Sequence, residues 1–157
     1  MKYLKSLVFV LLSLIAFSAL AQASQPPVRW RAFVKVDEKG CGTLTVKALV
    51  AEGWHLYALE MPPGGPKATS FDLAGSHGIE LKGSLTPVRP ASESFDALFG
   101  MKLAWWDSNI EFTVPFKIIS PDARFKCTVS YMACDGTTCR PPSTETLTGA
   151  VKPKVKQ

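Results

Sequence analysis

The chain has only two histidines, His55 and His77, and four cysteines among its 157 residues. A tetrahedral zinc site needs four soft ligands at converging spacing. Neither histidine lies near the closely spaced cysteines in sequence, so no metal is expected and both histidines read as surface or loop residues. No glycine-rich phosphate loop, metalloprotease helix or nucleophile elbow occurs, which removes the enzyme classes those motifs mark. No basic stripe is interleaved with aromatics, so nucleic acid is not an expected partner. Long helical periodicity is absent, and nothing points to a bound cofactor. The chemistry left to consider is that of sulfur.

What is present begins with an export leader. Lys2 and Lys5 give a positive start, Leu7 to Leu20 is almost unbroken apolar sequence, and Ala19-Leu20-Ala21 and Ala21-Gln22-Ala23 offer small-x-small cleavage patterns. The apolar run is shorter than the roughly 20 residues that span a bilayer, and no later stretch is apolar enough to do so. Residues 1–23 therefore read as a signal peptide, and the mature chain is expected to be exported, with no integral membrane segment. Residues 24–151 are one domain's worth of sequence. A domain of that size buries about two-thirds of its unfolded surface and needs no metal to fold. The formal charge of +5 includes the two leader lysines. Part of the remainder sits in a basic tail, residues 152–157, with too little apolar content to pack; it is expected to be disordered.

Period-two alternation dominates the mature chain. Ile110, Phe112, Val114, Phe116 and Ile118 share one face of a strand. Leu44, Val46, Ala48 and Val50 share another, as do Ile79, Leu81 and Leu85. Trp30, Ala32, Val34 and Val36 form a first strand, Phe125, Cys127, Val129 and Tyr131 a late one, and Leu147 and Val151 a weaker last one. Glu38-Lys39-Gly40, Pro62 to Pro66, Ser76-His77-Gly78 and Pro121-Asp122 are turn signals between them. Each strand's single apolar face must find another sheet, which predicts an all-β antiparallel two-sheet sandwich. Pro115 has no backbone N–H, so its strand is expected at an edge or with a bulge there.

The four cysteines are Cys41, Cys127, Cys134 and Cys139, and they permit three pairings. Cys134 and Cys139 bracket Asp135-Gly136, a good turn former, and a bridge between them would constrain the unfolded chain by only ~2 kcal/mol. A bridge from Cys41 to Cys127 would contribute ~4.5 kcal/mol, which makes it the natural structural pair. Parity counts against it, because Cys127 points inward with Val129 and Tyr131 while Cys41 falls outward with Thr43 and Thr45. The mouth of a strand enforces parity weakly, so this bridge stays open. The short pair is either a hairpin staple or a site of thiol:disulfide exchange, since short loops favour reducible disulfides.

The segment Tyr131 to Pro142, a cysteine pair followed by Arg140 and two prolines, resembles the active-site segment of the N-terminal periplasmic domain of the thiol:disulfide interchange protein DsbD. Gly53-Trp54-His55-Leu56-Tyr57 is similar to that family's early strand, and Phe95-Asp96-Ala97-Leu98-Phe99-Gly100 resembles its cap loop. The family's best-known members place five residues between the cysteines; here there are four. The resemblance spans about Val28 to Val151. It implies an immunoglobulin-like sandwich in the periplasm that carries electrons between thioredoxin-like proteins and exported acceptors.

Several residue roles follow from the resemblance. Cys139 would bond the partner and Cys134 would resolve the mixed disulfide. Arg140 favours a thiolate on Cys139, whereas Asp135 opposes one on Cys134. Leu98 and Phe99 would form an apolar flap over the sulfurs, with Asp96 and Tyr57 beside the pair. Trp105 and Trp106, adjacent in a strand, would face opposite sides as packing residues. Because those relatives continue into a membrane electron-transporting domain and this chain stops at Gln157, that transporter is expected in trans and the domain is expected to be a monomer. The competing expectations are a non-redox binding module stapled by the short bridge, or a subunit assisting cytochrome maturation.

Overall fold

The computed structural model describes residues 25–153. The leader expected at 1–23 and positions 154–157 of the expected tail lie outside the described residues. The twelve strands are β1 (Val28–Val36), β2 (Cys41–Val50), β3 (His55–Tyr57), β4 (Ser70–Asp72), β5 (Ile79–Leu81) and β6 (Thr86–Pro87), followed by β7 (Ser92–Asp96), β8 (Met101–Trp106), β9 (Ile110–Ile118), β10 (Arg124–Tyr131), β11 (Ala133–Cys134) and β12 (Ser143–Ala150). They form three antiparallel sheets: β1-β2-β9-β5 with β6 also on β9, β12-β10-β4, and β11-β3-β8-β7. The architecture is the all-β antiparallel sandwich that the alternating pattern predicts, consistent with the immunoglobulin-like fold that the resemblance implies, with the strands divided among three hydrogen-bonded sheets rather than two.

The core is built from the residues that alternation selects. Leu44, Val46 and Ala48 of β2 meet Val114, Phe112 and Ile110 of β9 in register, and all six are buried. Phe125, Cys127, Val129 and Tyr131 of β10 supply the facing layer. Phe112 lies at the centre, with ring centroids 4.7 Å from Phe71, 5.2 Å from Trp106 and 6.2 Å from Trp30. Burying each such large side chain contributes about 1.5–3 kcal/mol, so the sandwich draws its stability from this layer.

Two expectations change. β9 is an inner strand, flanked by β2 on one side and by β5 and β6 on the other. Pro115 is tolerated there because its imide nitrogen faces the break between β5 and β6, where no neighbour needs a donor; its carbonyl accepts from Lys82 N at 2.8 Å. The candidate bridge between Cys41 and Cys127 is not formed, and both thiols are free. Parity decides this. Cys41 is exposed opposite Lys117 of β9, while Cys127 is wholly buried opposite Leu147 of β12. Burial, reinforced by the charge of Asp72, pushes the Cys127 thiol up to about 11. Cys127 is thus a packing residue, inert at neutral pH.

Candidate functional site

The sheet β11-β3-β8-β7 has two apolar faces. Leu56 pairs with both Ala133 and Trp106, and these three point into the sandwich core. The alternate residues point the other way: His55 opposite Cys134, Tyr57 opposite Trp105, and Asp96 opposite Met101. On this outer face Tyr57, Leu103 and Cys134 form a second buried cluster, against which Met61, Phe99, Met101, Trp105, Met132 and Cys139 pack. The adjacent Trp105 and Trp106 therefore serve different layers, as strand parity requires.

Cys134 and Cys139 are joined by a disulfide. The turn between them is built by Asp135, whose Oδ1 accepts from Thr137 N at 2.9 Å, Thr138 N at 2.7 Å and Thr137 Oγ1 at 2.8 Å. Those bonds hold the Asp135 carboxyl below its ordinary range, the backbone donors of Thr137 and Thr138 being the largest cause. Asp135 is thus first a turn former. Gly136 sits at φ 85°, a left-handed conformation that side chains disfavour. Beyond the turn, Arg140 N donates to the Ala133 carbonyl at 3.0 Å, closing the loop back onto β11. The two sulfurs are unequal: Cys134 is 0% exposed, while Cys139 is only partly buried.

Asp96 organises the other side of the site. Its Oδ2 accepts from the Tyr57 hydroxyl at 2.7 Å, and its Oδ1 accepts from Leu98 N at 2.9 Å and Phe99 N at 3.2 Å. One buried carboxylate thus fixes the cap loop between β7 and β8 to the tyrosine of β3. Burial, then the bond and charge of Asp96, raise Tyr57 far above its ordinary value, so its hydroxyl stays protonated as the donor. Thr69 Oγ1 donates to the Tyr57 carbonyl at 2.6 Å and holds the end of β3 in place.

Of the residues expected at the site, the structure brings together Cys134, Cys139, Tyr57, Asp96 and Phe99. The expected flap divides. Phe99 packs on the cluster, its ring 5.9 Å from that of Tyr57, whereas Leu98 is 44% exposed. Phe99→Ala is therefore expected to speed alkylation of the reduced pair several-fold, and Leu98→Ala to change it little; equal rates in both variants and wild type would remove the shielding role. Arg140 places its guanidinium 5.8 Å above the Trp54 ring.

Sequence reasoning missed His55. It is not a surface residue: its side chain is 12% exposed, its ring lies 4.8 Å from Trp105 and 5.0 Å from Tyr57, and its Nε2 is 4.0 Å from Asp96 Oδ2. The signal was available in its parity with Tyr57, two residues on. Met61, Met101 and Met132 were missed as well, because nothing local ties them to the cysteines. Among the described residues no three His, Cys, Asp or Glu side chains are arranged to hold a metal ion.

The chain matches the family model of the N-terminal part of the thiol:disulfide interchange protein DsbD over residues 23–150. It belongs to that family. Among solved structures it is similar to the N-terminal periplasmic domain of ScsB from Proteus mirabilis, with TM-score 0.61 and 17% identity over 85% of this chain. It spans 51% of that chain, about half its length, and the likeness supports the fold. A yeast GGA1 GAE domain aligns with TM-score 0.45 and 13% identity, over 81% of this chain and 93% of that one. No curated protein matches.

Proposed function

We propose that this domain is a periplasmic electron carrier. In this reading the Cys134–Cys139 pair receives two electrons from a thioredoxin-like donor and passes them to exported acceptor proteins, with a membrane electron transporter supplied in trans. The observation that carries it is the unequal exposure of the two sulfurs on a face separate from the sandwich core. A partner can reach Cys139, while Cys134 waits beneath.

The cycle balances as follows. The Cys139 thiolate attacks one sulfur of the partner's disulfide, and the other partner sulfur leaves as a thiolate. A Cys134 thiolate then attacks Cys139 Sγ, forming the internal disulfide and expelling the partner's second thiolate. Two electrons pass to the partner, and the two thiol protons end on its sulfurs or in solvent. The domain works as a monomer in this scheme.

Equilibration in glutathione buffers, followed by thiol trapping, tests the reading. The pair is expected to titrate within reach of those buffers, and the reduced domain to keep its tertiary signals, since the short bridge constrains the unfolded chain by only ~2 kcal/mol. A potential well below about −300 mV, or loss of the fold on reduction, would mark the bridge as a staple and end the carrier reading.

A further inference from the structure

His55 carries an unmatched atom in this site. Its Nε2 is buried and has no hydrogen-bond partner among the described residues, an arrangement that buried polar atoms rarely keep. His55 stands directly opposite Cys134 across β3 and β11. Opposed residues put their Cβ atoms roughly 5 Å apart on the same side of a sheet, so the ring and the buried sulfur share one environment. While the disulfide is closed, neither sulfur has a proton to offer. Reduction puts a thiol, a hydrogen-bond donor, on Cys134.

The charges around the ring suit a base that must hold a proton briefly. Asp96 faces it from β7, Asp135 from the cysteine turn and Asp107 from the residue after β8, and each favours the imidazolium. From β8 it meets the indole of Trp105, and along its own strand it meets Tyr57, whose hydroxyl is committed to Asp96. Arg140, the nearby cation, stacks over Trp54. Burial opposes the charge and is the largest influence, so His55 lies below its ordinary value and is a neutral, proton-accepting imidazole at neutral pH.

We propose that His55 Nε2 is the proton acceptor and donor for Cys134, a catalytic residue of the exchange. The inference rests on the carrier reading above. In the closing step the Cys134 S–H bond breaks and its proton moves to Nε2. The resulting thiolate attacks Cys139 Sγ, the bond from Cys139 to the partner sulfur breaks, and the partner leaves with that electron pair. The imidazolium then returns its proton to solvent or to the departing thiolate. In the opposite direction Nε2 first takes the proton that the donor's thiol releases, the donor thiolate attacks Cys139 Sγ, the Cys134–Cys139 bond breaks with Cys134 departing as a thiolate, and the imidazolium passes it that proton. A thiolate at a fully buried position has no water to stabilise it, which is why a base beside Cys134 matters more than one beside the accessible Cys139.

The test is the closing step alone. The full chain is loaded with glutathione on Cys139 at acid pH, moved to buffers between about pH 6 and 9, and the release of glutathione is followed by acid quench and mass. Wild-type closure is expected to change little with pH across that range, because burial keeps the imidazole neutral there. His55→Gln is expected to close roughly a hundredfold more slowly at about pH 7, to rise about tenfold per pH unit, and to converge with wild type near pH 9. His55→Tyr keeps a ring against Trp105 without a base and should show the same deficit; closure at the wild-type rate there would make packing, not proton transfer, the role of His55. Matching rates and pH profiles in wild type and His55→Gln would overturn the proposal while leaving the carrier reading intact. Wild-type protein that never closes at any pH would sink both.

Discussion

Replacing Cys139 with Ser is expected to abolish exchange, whereas replacing Cys134 with Ala should halt it one step later, with the partner held covalently on Cys139. The difference comes from burial. Cys134 is wholly inside the cluster with Tyr57 and Leu103, whereas Cys139 is only partly buried at its edge. Attack on a disulfide needs the three sulfurs nearly in line, which a sealed thiol cannot offer to a folded partner. In Cys134→Ala the mixed disulfide therefore forms but has no internal thiol to resolve it. Non-reducing electrophoresis with a disulfide-bearing partner should show a stable adduct for Cys134→Ala and none for Cys139→Ser. An adduct through Cys134, and none through Cys139, would reverse the assignment. Turn chemistry does not confound the result, because Asp135 and Gly136 shape the loop through backbone bonds that neither substitution touches.

Phe112→Ala should cost roughly 3–5 kcal/mol, a large share of the roughly 5–15 kcal/mol that holds a domain of this kind together. Phe112 is 0% exposed and touches Trp30, Phe71 and Trp106, so the cavity would open where both layers meet. Its neighbours across the register, Val46 of β2 and Pro87 of β6, are pinned by their own strands and cannot collapse into the gap. Urea unfolding with the disulfide intact would read this loss as a lower midpoint with little change in slope. The contrast with reduction is the useful part: opening Cys134–Cys139 should shift the midpoint less than this one truncation does. A Phe112→Ala midpoint close to wild type would mean that the sandwich is not stabilised from its centre.

The long strands were legible because each carries four or five alternating apolar residues. β1, β2, β9 and β10 appear where alternation puts them, and nearly all of their fully buried residues are the inward ones, Thr45 of β2 being an exception. β3, β4, β6 and β11 have two or three residues each, too few to show a period. β7 was invisible for another reason: Ser92, Glu93, Ser94 and Phe95 are all exposed, so no apolar face marks it. At the site, Tyr57, Asp96 and Phe99 were found through the likeness of two short segments to a known family, not through any local pattern. His55 was missed because a single histidine has no period, and its importance comes from a partner 79 positions away in β11.

The sequence by itself determined that the chain is a β-sandwich with one closely spaced cysteine pair, because alternation and short-range spacing are local properties. Only the tertiary structure decided that Cys134 is buried while Cys139 is partly exposed, that Cys41 and Cys127 stay apart, and that His55, Tyr57 and Asp96 lie on the same sheet face as Cys134. Those outcomes depend on strand register, and register is fixed by the burial of whole faces rather than by any residue's immediate neighbours.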